Sequence, residues 1–299
     1  MSLIVVGSMA FDTIETPRER KERIVGGSCT YFSLAASFFT RPKVVSVVGK
    51  DFPHEVIELM EERGIDLSGL EIRRGKTFFW EGRYGDDPNQ RETLKTELNV
   101  FKDFKPLLPS DYQKAGLLFL ANIDPDLQED ILNQVKSPEI VGMDTIALWI
   151  NTKKDSLMKI FNRIDFLFAN DEEVRMLSGE KNLIRAGRAL LEKGPSLVVL
   201  KKGEHGALLL GRDFTAAVLA HPCENVVDPT GAGDSFAGGF MGYLDRVRSY
   251  EEPDIRKAAV YGSVLASFTI EDFGITRLKN LNHKEIEGRF QEFRNLVSF

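Results

Sequence analysis

Short apolar runs alternate with longer amphipathic stretches along most of this chain. Runs of β-branched residues and leucine that end at glycine or polar residues are typical of strands buried on both faces. The pattern predicts such strands at residues 3–8, 44–48, 117–121, 140–144, 166–169 and 197–200.

Between these runs, apolar residues recur at helical spacing, which is typical of helices with one buried face. The predicted helices cover residues 30–39, 53–63, 126–135, 155–161, 172–177, 183–193, 235–248, 254–271 and 283–296. A chain in which strands and helices alternate predicts an α/β fold, with a mainly parallel sheet and helices on both of its faces.

Two regions depart from this alternation. Residues 71–84 include an aromatic segment at 77–84 with no helix beside it, and a polar tract follows at 85–96. Because aromatic residues favour strands, we interpret this region as a β excursion and expect the short charged segment 12–24 to pair with it. Farther along, the pattern predicts a hairpin of strands 207–210 and 216–220, with β-like sequence continuing to Val227.

Composition narrows the class of protein. A length of 299 residues without a repeat or a long linker favours one domain over residues 1–299. The formal net charge is -6 with acidic and basic residues interspersed, so the chain lacks the basic stripe of a nucleic-acid-binding protein. It also has no apolar run of about 18 residues, which argues against a membrane span.

Cysteine and histidine usage points to a reducing compartment without a metal cluster. Cys29 and Cys223 are far apart and form no disulfide framework, so we expect a cytoplasmic protein. The start of the chain runs straight into a strand and does not resemble a signal peptide. The four histidines have no metal-ligand spacing.

The stretch from Asp228 to Phe240, DPTGAGDSFAGGF, carries the clearest chemistry. Gly231, Ala232 and Gly233 begin a predicted helix, where uncovered N–H groups and the helix dipole favour an anion. Asp234 in the first turn is placed to accept a proton from an attacking hydroxyl. The combination predicts phosphoryl transfer to an alcohol. The alternative is an ordinary glycine-rich turn with an acid at the helix start.

This stretch resembles the C-terminal signature of the ribokinase-like (PfkB) carbohydrate kinase family. The resemblance implies that Asp234 is the catalytic base, that residues 231–233 form the anion hole and that ATP is the phosphoryl donor. It also implies a ribokinase-like three-layer α/β/α fold with a small β lid, inserted at about residues 12–25 and 72–105.

The N-terminal part supplies candidates for the acceptor site. Asp12 follows the first predicted strand, at the sheet edge where ligands bind, although a turn-forming aspartate is the alternative. Gly26 and Gly27 either let the backbone approach a ligand or simply precede a helix. Many relatives carry a sugar-binding Asn four residues after the second glycine, whereas this chain has Tyr31. An aromatic ring there, with the aromatic lid, favours a nucleoside over a simple sugar.

Two further elements resemble the nucleotide side of the family. Asn170 and Glu173 match an Asn-x-x-Glu element, which implies that they hold Mg²⁺ and phosphates, Glu173 through water. A helix cap followed by first-turn acids is the alternative. Three residues, Lys201, Gly203 and Gly206, resemble a nucleotide-binding turn in which a lysine can reach a phosphate.

Two assignments rest on a looser likeness. Ser263 aligns with a position that contacts the adenine in relatives. Asp228 and Thr230 lie where some relatives bind K⁺, so a monovalent cation site is a possibility; the alternative is that Asp228 caps the turn at Pro229.

One motif is misleading. Residues 69–77, GLEIRRGKT, look like a phosphate-binding P-loop, but five residues rather than four separate the two glycines. Strand-like sequence also follows where a helix has to begin. We therefore assign this segment to a turn before the β excursion.

These observations predict an ATP- and Mg²⁺-dependent kinase for the hydroxymethyl group of a sugar or of the ribose of a nucleoside. No nucleic-acid or membrane partner is expected. The alternatives are a non-catalytic sugar or nucleoside sensor on the same fold, and a vitamin-precursor kinase, whose relatives usually lack the lid. An exposed apolar lid would also favour a homodimer through the lid.

Overall fold

The computed structural model describes residues 2–298, and thirteen strands lie within them. They are β1 (Leu3–Val6), β2 (Ala10–Glu15), β3 (Arg20–Gly26), β4 (Lys43–Gly49), β5 (Asp66–Arg73), β6 (Phe78–Tyr84), β7 (Arg91–Glu97), β8 (Leu117–Leu120), β9 (Ile140–Asp144), β10 (Phe166–Asn170), β11 (Leu197–Lys201), β12 (Ala207–Gly211) and β13 (Thr215–Val218).

Eleven α-helices lie within the same residues. They are α1 (Ser28–Ala36), α2 (His54–Glu62), α3 (Pro125–Leu132), α4 (Ala147–Thr152), α5 (Lys154–Ile160), α6 (Asp171–Ser178), α7 (Leu183–Leu191), α8 (Ala232–Val247), α9 (Glu252–Thr269), α10 (Thr276–Asn280) and α11 (His283–Leu296).

Nine of the strands form one large sheet in the order β13-β12-β11-β10-β9-β8-β1-β4-β5. Neighbouring strands from β5 to β11 are parallel, whereas β12 and β13 are antiparallel to their neighbours. The carboxyl ends of the parallel strands therefore meet at one edge, which is where an open α/β sheet binds its ligands.

Successive residues of the parallel strands point to opposite faces of the sheet, and each face has its own core. Leu3 and Val5 pack among residues of α1, α2, α8, α9, α10 and α11. Ile4 and Val6 pack among residues of α3 to α7. This arrangement confirms the predicted three-layer α/β/α fold.

Helix α8 lies tightly between two neighbouring helices. A Cβ added at Gly238 would overlap the carbonyl oxygen of Phe32 in α1. On the other side, a Cβ at Gly239 would lie 3.0 Å from the carbonyl oxygen of Tyr261 in α9. The adjacent glycines thus allow both neighbours to approach the backbone of α8.

The remaining four strands form a separate small sheet in the order β3-β2-β6-β7. Strand β2 pairs with β6 in parallel and with β3 antiparallel, so the predicted pairing of segment 12–24 with the aromatic segment is confirmed. A small apolar cluster of Ile14, Tyr84 and Phe273 joins this sheet to the loop after α9. The assignment of residues 1–299 to one domain stays a prediction.

Three local predictions were wrong. Residues 69–73 do not form a turn, because they belong to β5 at the edge of the large sheet. The segment is nevertheless not a P-loop, as expected, because a strand, β6, follows it instead of a helix. The β-like stretch 216–227 ends as a strand at Val218, before Pro222, which cannot donate to a ladder. The sequence pattern also missed the short helices α4 and α10.

Candidate active site

Three adjacent parallel strands end in polar residues at the same sheet edge. Asp144 ends β9, Asn170 ends β10 and Lys201 ends β11, and Asn170 lies directly opposite Lys201 in the strand register. The Nζ of Lys201 donates to Oδ2 of Asp144 over 2.6 Å, and both side chains are largely buried. The predicted lysine therefore lies at this sheet edge, paired with an acid; the region between this edge and the small sheet is called the cleft below.

Asn170 and Glu173 form a capping box at the start of α6. The Oδ1 of Asn170 accepts from the N–H of Glu173, and Oε2 of Glu173 accepts from the N–H of Asn170, each over 2.8 Å. Burial raises the pKa of Glu173 to about 7, although the nearby ammonium of Lys201 lowers it. The structural alternative, a helix cap, is thus present, and it also orients the buried carboxyl group of Glu173 near Lys201.

The glycine-rich stretch forms the beginning of α8. Gly231 caps the helix in the left-handed region, with φ of 78°. The N–H of Ala232 donates to the carbonyl oxygen of Pro229 over 3.3 Å. The N–H groups of Gly233 and Asp234 donate to none of the residues that the structure describes. Two of the first-turn amides are therefore free to bind an anion.

Asp234 lies half-buried at this helix start, where the charges of Asp144, Lys201 and Arg91 act on it. Burial raises its pKa to about 7, and the carboxylate of Asp144 adds to the rise; Lys201 and Arg91 oppose it. A carboxyl group with a pKa near neutrality is suited to accept a proton and release it again.

Asp12 lies within β2, next to Gly26 at the end of β3. A Cβ added at Gly26 would overlap Oδ2 of Asp12, so only glycine leaves room for this carboxylate. Burial raises the pKa of Asp12 to about 8, and the charges of Asp228 and Asp234 raise it further, although the amide of Gly27 lowers it. The predicted acceptor residues Asp12, Gly26 and Gly27 are thus together.

Asp228 is buried, and backbone amides hold its carboxylate. Its Oδ1 accepts from the N–H of Thr230 over 2.9 Å, and its Oδ2 accepts from the N–H of Gly274 over 3.1 Å. The hydroxyl of Thr230 lies 3.0 Å from the phenolic oxygen of Tyr84, at the end of β6. The turn-capping role of Asp228 is therefore observed, whereas a cation site at this loop stays a prediction.

Tyr31 lies in the first turns of α1 and is buried, with its ring against Gly231. It therefore connects the acceptor residues to the start of α8.

The nucleotide-binding candidates farther along the chain lie in two places. Gly203 and Gly206 have φ of 52° and 79° in the turn between β11 and β12, directly after Lys201. Ser263 lies in α9, where its hydroxyl donates to the carbonyl oxygen of Leu219 over 2.9 Å. Ser263 therefore braces the segment after β13, and its role toward a base stays a prediction.

The small sheet contributes residues that the sequence did not indicate. Arg91 begins β7 opposite Tyr84 in the strand register, and its charge acts on Asp12, Glu173 and Asp234. Asn89 precedes Arg91 in the loop between β6 and β7 and lies against the turn between β11 and β12. A Cβ added at Gly203 in that turn would overlap Oδ1 of Asn89. The small sheet thus crosses the cleft from the acceptor acids to this turn.

The only sequence signal for these contacts was the interruption of the α/β alternation. Residues 85–96 appear as a polar tract, in which Arg91 and Asn89 look like ordinary surface residues. Only the pairing of β7 with β6 brings Arg91 back toward the acids.

Within residues 2–298, no cluster of three or more acidic, histidine or cysteine side chains could cage a metal ion. In the same part of the chain, no helix is both long and apolar enough to cross a membrane.

Comparison with known proteins identifies the family. A model of the pfkB family of carbohydrate kinases matches residues 2–280. The chain belongs to this family. It is therefore an ATP-dependent kinase for a sugar or a nucleoside, and kinases of this kind use ATP with a divalent metal.

Two relatives in sequence are nucleoside kinases. The chain is 30% identical over 259 residues to a cytidine kinase of Thermococcus kodakarensis, which covers 84% of this chain and 91% of that protein. It is 30% identical over 290 residues to a nucleoside kinase of Methanothermobacter thermautotrophicus, which covers 91% of this chain and 90% of that protein.

The fold is that of ribokinase-family structures. The nucleoside kinase of Methanocaldococcus jannaschii superposes with a TM-score of 0.77 at 22% identity, covering 98% of this chain and 99% of that structure. The predicted family and fold class are confirmed.

Proposed function

We propose that this kinase transfers the γ-phosphoryl group of ATP to the hydroxymethyl group of a nucleoside's ribose. The observation that carries the proposal is the position of Asp234 at the start of α8, beside two free amides and within electrostatic reach of both Asp12 and the ion pair of Lys201 with Asp144. The cytidine kinase and nucleoside kinase among the relatives support a nucleoside as the acceptor.

Asp234 acts as the base in this proposal. Its carboxylate takes the proton from the attacking hydroxyl as the oxygen–phosphorus bond forms and the bond to ADP breaks. The free amides of Gly233 and Asp234, at the start of α8, stabilise the negative charge on the transferring group. Lys201, whose Nζ would lie 3.2 Å from a Cβ at Gly233, adds a positive charge beside them.

The cleft suits Mg²⁺ held mainly by phosphates. Mg²⁺ usually keeps several waters and binds one or two carboxylates together with substrate phosphates, so a three-acid cage is not required. Glu173 offers one buried carboxyl group, oriented by Asn170. The metal would supply charge neutralisation for the phosphates of ATP. An Escherichia coli protein of the same fold, 18% identical, was solved with ATP and Mg²⁺.

Potassium at the loop of Asp228 and Thr230 stays a prediction. Both carboxylate oxygens of Asp228 already accept backbone N–H groups, so the loop is held by the chain itself. A K⁺ site and a loop held only by its own hydrogen bonds are distinguished by comparing turnover in KCl with turnover in tetramethylammonium chloride at equal ionic strength. Equal rates would mean that no such site matters.

We take the small sheet as the lid of the acceptor site, within a single kinase domain. Its exposed positions are mainly charged, with ion pairs of Arg20 with Glu81 and of Arg83 with Glu15. The apolar lid surface that suggested a homodimer is thus largely absent from the part of the chain that the structure describes. Sedimentation at micromolar concentration tests the dimer, and a monomer would end that hypothesis.

One panel assay tests the proposed function. ADP release is measured with ATP and Mg²⁺ in the presence of cytidine, adenosine, inosine, ribose or fructose, and binding is followed by thermal shift. We expect turnover with at least one nucleoside above that with either sugar. Turnover with sugars alone would refute the nucleoside assignment, and tight binding without any turnover would favour the sensor.

A further inference from the structure

Tyr31 joins two parts of the cleft through two different parts of its side chain. The residue is 1% exposed. Its ring lies flat against Gly231, because a Cβ added there would lie 2.5 Å from three ring carbons of Tyr31. The ring therefore supports the left-handed residue that caps α8 and sets the direction of the free amides.

The hydroxyl of Tyr31, unlike its ring, lacks a partner. It is buried and has no hydrogen-bond partner among residues 2–298. Buried hydroxyls are nearly always paired, since an unpaired one costs the free energy of its lost hydration. A partner is therefore missing from the free protein.

The surroundings indicate what that partner is. Burial raises the pKa of Tyr31 well above its usual value, and the nearby Asp228, Asp12, Tyr84 and Asp234 add to the rise. Among the described residues, the carboxylate of Asp228 already accepts hydrogen bonds from Thr230 and Gly274, and the hydroxyl of Tyr84 is hydrogen-bonded to that of Thr230. A neutral polyol that enters beside Asp12 would bring a hydroxyl within reach.

We propose that Tyr31 is a positioning residue that connects the acceptor site to the phosphoryl site. Its hydroxyl bonds a sugar hydroxyl of the bound nucleoside, and its ring then holds Gly231 and the amides of Gly233 and Asp234 in place. This role rests on the proposed function. It predicts that nucleoside and ATP strengthen each other's binding by the same factor.

Two variants separate the hydroxyl from the ring. Tyr31→Phe keeps the ring, removes the orphan hydroxyl and is expected to unfold at the same or a higher temperature than wild type without ligand. It should bind cytidine about tenfold more weakly, the range of one lost hydrogen bond, and lower kcat/KM mainly through KM. Tyr31→Leu removes the ring, so it should lower kcat about tenfold and abolish the mutual strengthening.

Stability is measured by thermal unfolding, and cytidine binding is measured by calorimetry, each with and without a non-hydrolysable ATP analogue and Mg²⁺. Adenosine or inosine replaces cytidine if it binds more tightly. The matched control is Tyr112→Phe. Tyr112 is equally buried, but its hydroxyl donates to the carbonyl oxygen of Asp66 over 3.2 Å. This control should unfold at a lower temperature and bind nucleoside like wild type.

The outcomes are distinct from those of the proposed function. If Tyr31→Phe unfolds earlier than wild type and binds the nucleoside equally well, the hydroxyl is structural and the inference is overturned. Equal coupling in wild type and Tyr31→Leu also overturns it. Wild type without turnover on any nucleoside would refute the proposed function alone, because the unfolding and binding comparisons need no turnover. If no nucleoside of the panel binds, both proposals fail.

Discussion

The two sides of the cleft hold their acids in different ways. On the nucleotide side, which comprises Asp144, Glu173 and Lys201, a lysine side chain balances the carboxyl groups. On the acceptor side, which comprises Asp12 and Asp228, backbone amides of Gly27, Thr230 and Gly274 lie against the carboxyl groups. A cation suits phosphates, whereas carboxylates that have spare lone pairs suit sugar hydroxyls. The difference supports the proposed placement of ATP on one side and the acceptor on the other.

The largest expected effect concerns Asp234, where the two sides meet. Asp234→Asn should lower kcat by between about 10² and 10⁴, because loss of a general base costs this much, and should change both KM values little. Steady-state kinetics with ATP and the best nucleoside measure it.

Asp245→Asn is the matched control for Asp234→Asn. Asp245 is also in α8, but at its far end, where it interacts with Thr40 and Arg248. Its replacement should change stability rather than kcat. Near-normal turnover in Asp234→Asn would remove the base from the proposal.

A crossed pair of variants tests the division itself. Lys201→Met should raise the KM for ATP about tenfold and, because it leaves Asp144 buried without its partner, destabilise the protein by about 3 kcal/mol. Asp12→Asn should instead raise the KM for the nucleoside about tenfold, because an amide offers one acceptor oxygen to the sugar hydroxyls where a carboxyl group offers two.

The double variant Lys201→Met with Asp144→Asn separates the two effects of the lysine. It should recover much of the stability but not the affinity for ATP. Equal changes of both KM values in each single variant would contradict the division into two sides.

The pH dependence of stability should reveal the buried carboxyl group of Asp12. The pKa of Asp12 is about 8 in the folded protein, above the value of about 4 expected for an unfolded chain. Stability from the protonated carboxyl is therefore complete below about pH 4 and is lost as the pH rises through about 8. In Asp12→Asn this loss is absent.

Chemical denaturation at pH 5 and pH 8, without ligands, checks this prediction. The advantage of Asp12→Asn over wild type should grow between these values by about 3 to 4 kcal/mol. A constant difference would mean that the carboxyl group is already ionised at pH 5.

The smallest effect concerns the arginine that reaches both sides. Arg91→Gln should lower kcat about fivefold, since its charge opposes the raised pKa of Asp234 and faces the site of phosphoryl transfer. Arg83→Gln is the control, because Arg83 lies in the same sheet and pairs with Glu15 and Glu92. Rates are compared at saturating substrates, and equal rates in both variants would mean that the charge of Arg91 does not act on phosphoryl transfer.

The sequence predicted the nucleotide side better than the acceptor side, because more of its contacts join residues close together in the chain. The stretch from Asp228 to Phe240 is local, so its glycines and Asp234 indicate a helix start and an anion hole without knowledge of the fold. Asn170 and Glu173 are likewise a local cap. The ion pair of Lys201 with Asp144 joins strand ends 57 residues apart, and only the parallel sheet brings them together.

The acceptor side depends more on such distant contacts. Thr230 meets Tyr84 across 146 positions of the chain. Arg91 lies in a tract whose polarity predicts only exposure, and Tyr31 could be noticed only as a departure from the family's usual Asn. The strand β5 was missed because Gly69 and the charged residues after Leu70 hide its pattern.

The small sheet crosses the cleft in the free protein, with Tyr84 at Thr230 and Asn89 at Gly203. If the acceptor is a nucleoside that binds beneath this sheet, both contacts would have to separate before it could enter or its monophosphate could leave. This opening, and not the chemical step, would then be rate-limiting, as in many enzymes with closing lids. Rapid mixing should accordingly reveal a first turnover faster than the steady rate, and Asn89→Gly should speed the steady rate while it shrinks that burst.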